Sequence, residues 1–183
     1  SCNQCSFVCP HAVIRPYLLN QIEYDNSPHF IKEKCIKPLN PKLKDYYFTI
    51  AISVKDCTGC GLCIKTCPGK KMLKALEYQN INEALNLKEQ ERFDYLNENI
   101  MDKNIDTNSV MTCQFKKPGF EFSGACSGCG ETAYLKLLTQ LFGKELIISN
   151  ATGCSSIYGA SIPSMPYSVP FASSLFEDNA EYG

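Results

Sequence analysis

Residues 57–68 read Cys57-Thr58-Gly59-Cys60-Gly61-Leu62-Cys63-Ile64-Lys65-Thr66-Cys67-Pro68. This is a C-x2-C-x2-C-x3-C-P run, a spacing that holds iron–sulfur clusters in bacterial proteins. Three thiolates two residues apart can take three corners of one cubane. Thr58, Gly59 and Gly61 are small, so the backbone amides can turn toward cluster sulfurs. Pro68 ends the turn and sends the fourth cysteine elsewhere. Zinc and a disulfide staple are the rival readings. Zinc knuckles use paired cysteines rather than four within eleven residues.

The same run occurs at the start of the chain, without its first cysteine. Residues 1–10 read Ser1-Cys2-Asn3-Gln4-Cys5-Ser6-Phe7-Val8-Cys9-Pro10. The absent ligand would lie three positions before Cys2. Two such runs make an internal repeat, the arrangement of the pseudo-symmetric two-cluster ferredoxins. A third group is Cys126-Ser-Gly-Cys129, followed by Glu131 and a helical pattern, with Cys154 after the apolar stretch from Leu146 and its glycine loop. Helix N-termini favour anionic ligands, so these three thiolates are expected to converge on a further cluster. A redox pair or a zinc knuckle is the alternative there.

Composition bounds the rest. The chain has 183 residues, 12 cysteines and a formal charge of −1. So many cysteines suggest a secreted disulfide protein. Nine of the 12, however, fall in the spacings just quoted, and Ser1 opens inside a cysteine run rather than a signal peptide. A reducing cytoplasm is expected, or a hydrogenosome if the source is an anaerobic protist. No run of 18 apolar residues suggests a membrane span, and the near-zero charge argues against nucleic acid. The chain has no initiating methionine, and motifs reach both ends. A piece of a longer protein is expected.

Between the runs, residues 11–16 read as a short strand, with His11 as a surface histidine. Residues from about 17 to 45 carry Pro28, Pro38, Pro41 and several lysines and read as an irregular insertion. Cys35 within it reads as a plain thiol. Residues 46–54 are aromatic and β-branched and read as a strand feeding the second run. Residues 72–78 close that half. Residues 80–101 have a 3.6-residue apolar period and an Asn cap, hence one or two amphipathic helices, with Lys88 to Arg92 outside. Residues 102–122 read as loop, with Cys113 structural. Tyr134, Leu135, Leu137, Leu138, Leu141 and Phe142 form the apolar stripe of a buried helix. Gly143 stops it. An apolar strand from Leu146 and a new helix at Ser155 complete an α/β grammar, with ligand chemistry at the carboxyl edge of the strand.

Four stretches carry a family resemblance. They are Cys2 through Cys9 with Pro-His-Ala-Val-Ile-Arg-Pro, Asp56-Cys-Thr-Gly-Cys-Gly, Phe122-Ser-Gly-Ala-Cys-Ser-Gly-Cys-Gly-Glu-Thr and Asn150-Ala-Thr-Gly-Cys-Ser-Ser-Ile-Tyr-Gly. They resemble the pyruvate:ferredoxin oxidoreductases, or pyruvate synthases, over essentially the whole chain, and the run from Ser174 agrees. The resemblance implies an α+β two-[4Fe–4S] ferredoxin-like domain over residues 1–79. A helical linker over 80–111 and the beginning of an α/β thiamine-diphosphate-binding domain over 112–183 follow. It implies oxidative decarboxylation of pyruvate with coenzyme A. Electrons would pass through [4Fe–4S] clusters to ferredoxin or flavodoxin, in an enzyme that is a homodimer when complete. If the runs cross over as in two-cluster ferredoxins, Cys9, Cys57, Cys60 and Cys63 hold one cluster. Cys2, Cys5 and Cys67 hold the other, with the cysteine absent upstream. In the family, positions matching Cys126, Cys129 and Cys154 hold a proximal cluster, with a fourth cysteine far downstream. Those matching Glu131 and Cys154 contact thiamine diphosphate. The Gly-Asp-Gly diphosphate–magnesium motif is absent, and no catalytic residue is assigned. These residues alone are therefore expected to be inactive. A simple polyferredoxin carrier and another 2-oxoacid oxidoreductase are the alternative functions, and a zinc-bound interaction module is a non-redox one.

Overall fold

A computed structural model describes residues 2–69 and 73–173. Ser1, Met72 and the run from Ser174 lie outside these residues. The described chain is α+β, with two separate two-stranded sheets. Among its residues, no helix is long and apolar enough to cross a membrane.

The two cysteine runs fold alike. Helix α1 is Gln4–Val8 and α4 is Leu62–Thr66. Each is five residues long and starts after a left-handed residue, Asn3 at φ 52° and Gly61 at φ 73°. Asparagine and glycine are the residues that tolerate this conformation best. Each helix ends on an extended cysteine, Cys9 or Cys67, before proline. That proline disfavours helix at the preceding residue and so fixes where the last cysteine leaves the helix. The helices α1 and α4 pack against each other.

Strand β1 (Ile14–Leu19) leaves the first run, and β2 (Tyr47–Ile52) leads to the second. They pair antiparallel, Ile14 opposite Ile52 and Leu19 opposite Tyr47. Residues 17–19 are thus strand, not insertion. The intervening segment is also more regular than its prolines suggest. Asn20 and Glu23 form a reciprocal capping box that starts α2 (Gln21–Asn26). Pro28 precedes α3 (His29–Lys32), and Asn40 caps a 3₁₀ turn at Pro41–Leu43. Ile31 and Leu43 are buried, so the segment supplies core rather than decoration.

Helix α5 is Ile81–Asn86 and α6 is Glu89–Asn99. Phe93 and Leu96 of α6 join Leu19, Ile31 and Ala51 in one core cluster. The expected outward charge face is half wrong. Arg92 is buried, its guanidinium bonded to the Ile50 carbonyl and the Thr49 hydroxyl and paired with Glu89 at 3.2 Å. A buried charge is tolerated when it is paired and hydrogen-bonded, and here only Nε lacks a partner among the described residues.

The expected loop after residue 102 contains one helical turn, α7 (Val110–Cys113), capped by Ser109. Helix α8 (Thr132–Phe142) departs further from expectation. Its buried residues are Thr132, Lys136, Thr139 and Gln140, while Tyr134, Leu138, Leu141 and Phe142 are exposed. The polar side chains win because they fill backbone groups. Gly119 N–H donates to the Thr139 hydroxyl at 3.0 Å, and Gln140 donates to the Lys116 carbonyl at 2.8 Å. After a 3₁₀ turn at Gly143–Glu145, β3 (Ile148–Asn150) pairs in parallel with β4 (Phe171–Ser173), and α9 (Cys154–Gly159) lies between them. Phe120, Tyr158 and Tyr167 form the core of this half. Gly159 faces that core: a Cβ there would stand 2.7 Å from Phe171 and 3.0 Å from Tyr167. The rings of Tyr167 and Phe171 are stacked at 4.5 Å and have little room to yield. Gly159→Ala is therefore expected to destabilise by about 1–2 kcal/mol, despite the better helix propensity of alanine. The denaturant midpoint is the measurement; an unchanged or higher midpoint refutes the packing.

Candidate metal centres and cofactor site

One concavity is lined by cysteines from both runs. Cys57, Cys60 and Cys63 come from the loop before α4 and from its first turn. Cys9 comes from the end of α1. Val13, Ile14 and Leu62 give it apolar walls. Neither Cys2 nor Cys5 borders it. Burial pushes the Cys63 thiol up, and its neighbours Cys9, Cys57 and Cys60 push it the same way. Burial also raises Cys5, to about 11, with Cys2 and Cys63 nearby. Cys67 moves the other way, because the Ala75 backbone N–H donates to its sulfur at 3.4 Å. Backbone donors to sulfur are one of the devices that tune cluster sites. Among the described residues, no three His, Cys, Asp or Glu side chains are drawn together to metal-bonding distance.

His11 is not on the surface. It is 3% exposed and lines the same concavity. Its Nδ1 donates to the Ser123 carbonyl at 3.1 Å, and the Phe122 amide returns a bond to the His11 carbonyl. A histidine after Cys-Pro reads as exposed only if nothing covers that turn; here the 121–123 segment does.

Cys126 and Cys129 form a turn ahead of α8, the Cys129 amide donating to the Cys126 carbonyl at 3.0 Å. Cys154 is the first residue of α9. Cys126 and Cys154 are exposed and Cys129 is half-buried. This turn rests on the second run: the Ser127 hydroxyl bonds Thr58 at 3.2–3.3 Å, and Gly128 approaches the Cys60 side chain. At φ 74°, Gly128 holds a left-handed conformation that a side chain would strain.

Glu131 stands at the N-cap position of α8, without a side-chain capping bond, and is exposed. The hydroxyls of Tyr158 and Tyr167 are buried and have no hydrogen-bond partner among the described residues. Burial and the nearby Glu131 carboxylate raise both phenols, Tyr167 to about 12. Neither tyrosine stands out as a site residue in the sequence. Cys35 is half-buried, its thiol donating to the Ile31 carbonyl at 3.3 Å, and Cys113 is fully buried.

The donor sets suit the groups that the resemblance implies. Four thiols with apolar walls are the donor type of an iron–sulfur cluster, although among the described residues no three stand at metal-bonding distance, and buried phenols near a carboxylate are polar groups of the kind a cofactor site uses. Comparison with known proteins then decides the relationship. Over its full length the chain is 47% identical to a pyruvate:ferredoxin oxidoreductase of Moorella thermoacetica and 46% identical to a pyruvate-flavodoxin oxidoreductase of Klebsiella pneumoniae. The chain is related to these pyruvate oxidoreductases. It spans 16% of the length of each. It also matches, at 46% identity, 10% of a pyruvate dehydrogenase [NADP(+)] of Cryptosporidium parvum. No protein-family model matches the chain.

Proposed function

We propose that the chain is the electron-transfer segment and one corner of the cofactor site of a pyruvate:ferredoxin or pyruvate-flavodoxin oxidoreductase. The observation that carries this is Cys9 lining one concavity with Cys57, Cys60 and Cys63, in a chain similar throughout to those enzymes. Residues 1–79 are then a two-cluster ferredoxin-like domain, 80–111 its linker, and 112–183 the start of a thiamine-diphosphate domain. Cys9, Cys57, Cys60 and Cys63 hold one [4Fe–4S] cluster, and Cys2, Cys5 and Cys67 hold another with an upstream ligand. Cys126, Cys129 and Cys154 hold the proximal one. When bound, thiamine diphosphate with Mg²⁺ supplies the carbanion stabilisation that decarboxylates a 2-oxo acid. Glu131 and Cys154 would contact it, and the buried Tyr158 and Tyr167 phenols lie near the Glu131 carboxylate. The Ser127–Thr58 contact sets the proximal turn against the next cluster loop, which shortens the electron path. Pyruvate, coenzyme A and a ferredoxin or flavodoxin are the substrates and acceptor of the whole enzyme, a homodimer in the cytoplasm.

The test is anaerobic reconstitution with iron and sulfide. Brown protein with matched iron and acid-labile sulfide, and without stoichiometric zinc, is the expected result. Colourless protein that retains zinc overturns the reading in favour of a zinc-bound module.

A further inference from the structure

Lys136 is a buried cation that no carboxylate pairs with among the described residues. It is 2% exposed. Its Nζ donates to the Ser6 carbonyl and, at 3.2 Å, to the Phe7 carbonyl. These belong to the last turn of α1, where helical carbonyls lack intrahelical partners. Helix α1 carries Cys5 and ends at Cys9. The charged or ionisable groups around Lys136 are Cys9, Arg15, Cys113 and Cys5. Burial pulls Lys136 down, to about 8. An ammonium desolvated beside Arg15 is poorly compensated, and two carbonyls offset only part of that cost. Thiolate-bound clusters carry the negative charge that this position lacks.

We propose, resting on the assignment of Cys5 and Cys9 to two iron–sulfur clusters, that Lys136 is a positioning residue whose charge raises the reduction potential of both. A cluster gains a negative charge on reduction, and a nearby cation in a low-dielectric interior favours that form. Lys136 stands on α8, whereas Cys5 and Cys9 stand on α1. Seating α8 therefore sets the potentials, and the segment that begins at Glu131 controls how readily both clusters accept electrons.

The experiment compares the chain with Lys136→Gln and Lys136→Arg after anaerobic reconstitution, by iron count and EPR-monitored redox titration. Glutamine keeps a donor for the carbonyls but removes the charge. Full iron loading with both potentials shifted negative is expected for Lys136→Gln, and potentials near the parent for Lys136→Arg. A second variant, Gln114→Glu, keeps the bond that Gln114 accepts from Ser6 at 3.1 Å and adds a negative charge on that side of α1. It too should shift both potentials negative, and it decides the matter if Lys136→Gln loads poorly. Unmoved potentials in either fully loaded variant overturn the inference. Failure of the parent chain itself to bind iron would instead overturn the cluster assignment beneath it.

Discussion

Cys9→Ser is expected to destroy the cluster held by Cys57, Cys60 and Cys63 and to spare the one held by Cys2 and Cys5. The sequence alone leaves two closures open, since each run could close on itself. Crossing is the closure proposed above. Cys9 leaves α1 extended, at φ −69° and ψ 113°, and lines the concavity of the second run. Cys67 leaves α4 in nearly the same conformation, φ −60° and ψ 119°, so Cys67→Ser should damage the opposite site. Losing a direct ligand should cost more than the roughly 10–100-fold in metal affinity typical of losing an outer-shell partner. Low-temperature EPR of both variants, oxidised and reduced, reads the outcome. If Cys9→Ser perturbs the Cys2 and Cys5 signal and leaves the other intact, each run closes on itself.

What the sequence made legible was the punctuation. The runs around Cys57 and Cys2, the β-branched strand before the second run, and the periodicity of α6 all survive in the structure, because local spacing and local propensity agree there. Misreadings came where a charged or polar side chain had a distant partner. Arg92 looks like a solvent-facing charge until the carbonyl of Ile50 is brought to it. His11 looks exposed until residues 121–123 fold over it. The stripe on α8 is only partly buried, with Leu135 against the aromatic core, for the same reason: Thr139 and Gln140 bind backbone groups of residues 116–119, which no periodicity reveals. One signal was available and missed. Asn20-x-x-Glu23 is a capping box, and it announces α2 within a segment whose prolines suggest only irregularity.

Arg15→Met is expected to cost about 2–4 kcal/mol of folding stability. Arg15 is 6% exposed and uses its whole fork. Its Nε donates to the Ala12 carbonyl at 3.0 Å, one terminal nitrogen donates to Asn97 at 2.7 Å, and the other pairs with Glu121. The guanidinium also lies 5.1 Å from the ring centres of both Phe93 and Phe122. Removing one partner of a buried ion pair typically costs about 3–5 kcal/mol, because the other charge is stranded. Glu121 keeps 26% of its side chain exposed, which lowers the expectation to the stated range. Methionine keeps much of the apolar stem, so the loss isolates charge and hydrogen bonds. Arg15→Lys should not rescue it, since an ammonium cannot reach three partners from one planar fork. The denaturant midpoint of Arg15→Met, Glu121→Gln and the double variant closes a thermodynamic cycle. A loss near the sum of the singles, or below about 0.5 kcal/mol for Arg15→Met, defeats the argument. The position matters beyond stability. Arg15 ties β1 to α6 and to the segment running into Ser123, and that segment leads directly to Cys126 and Cys129.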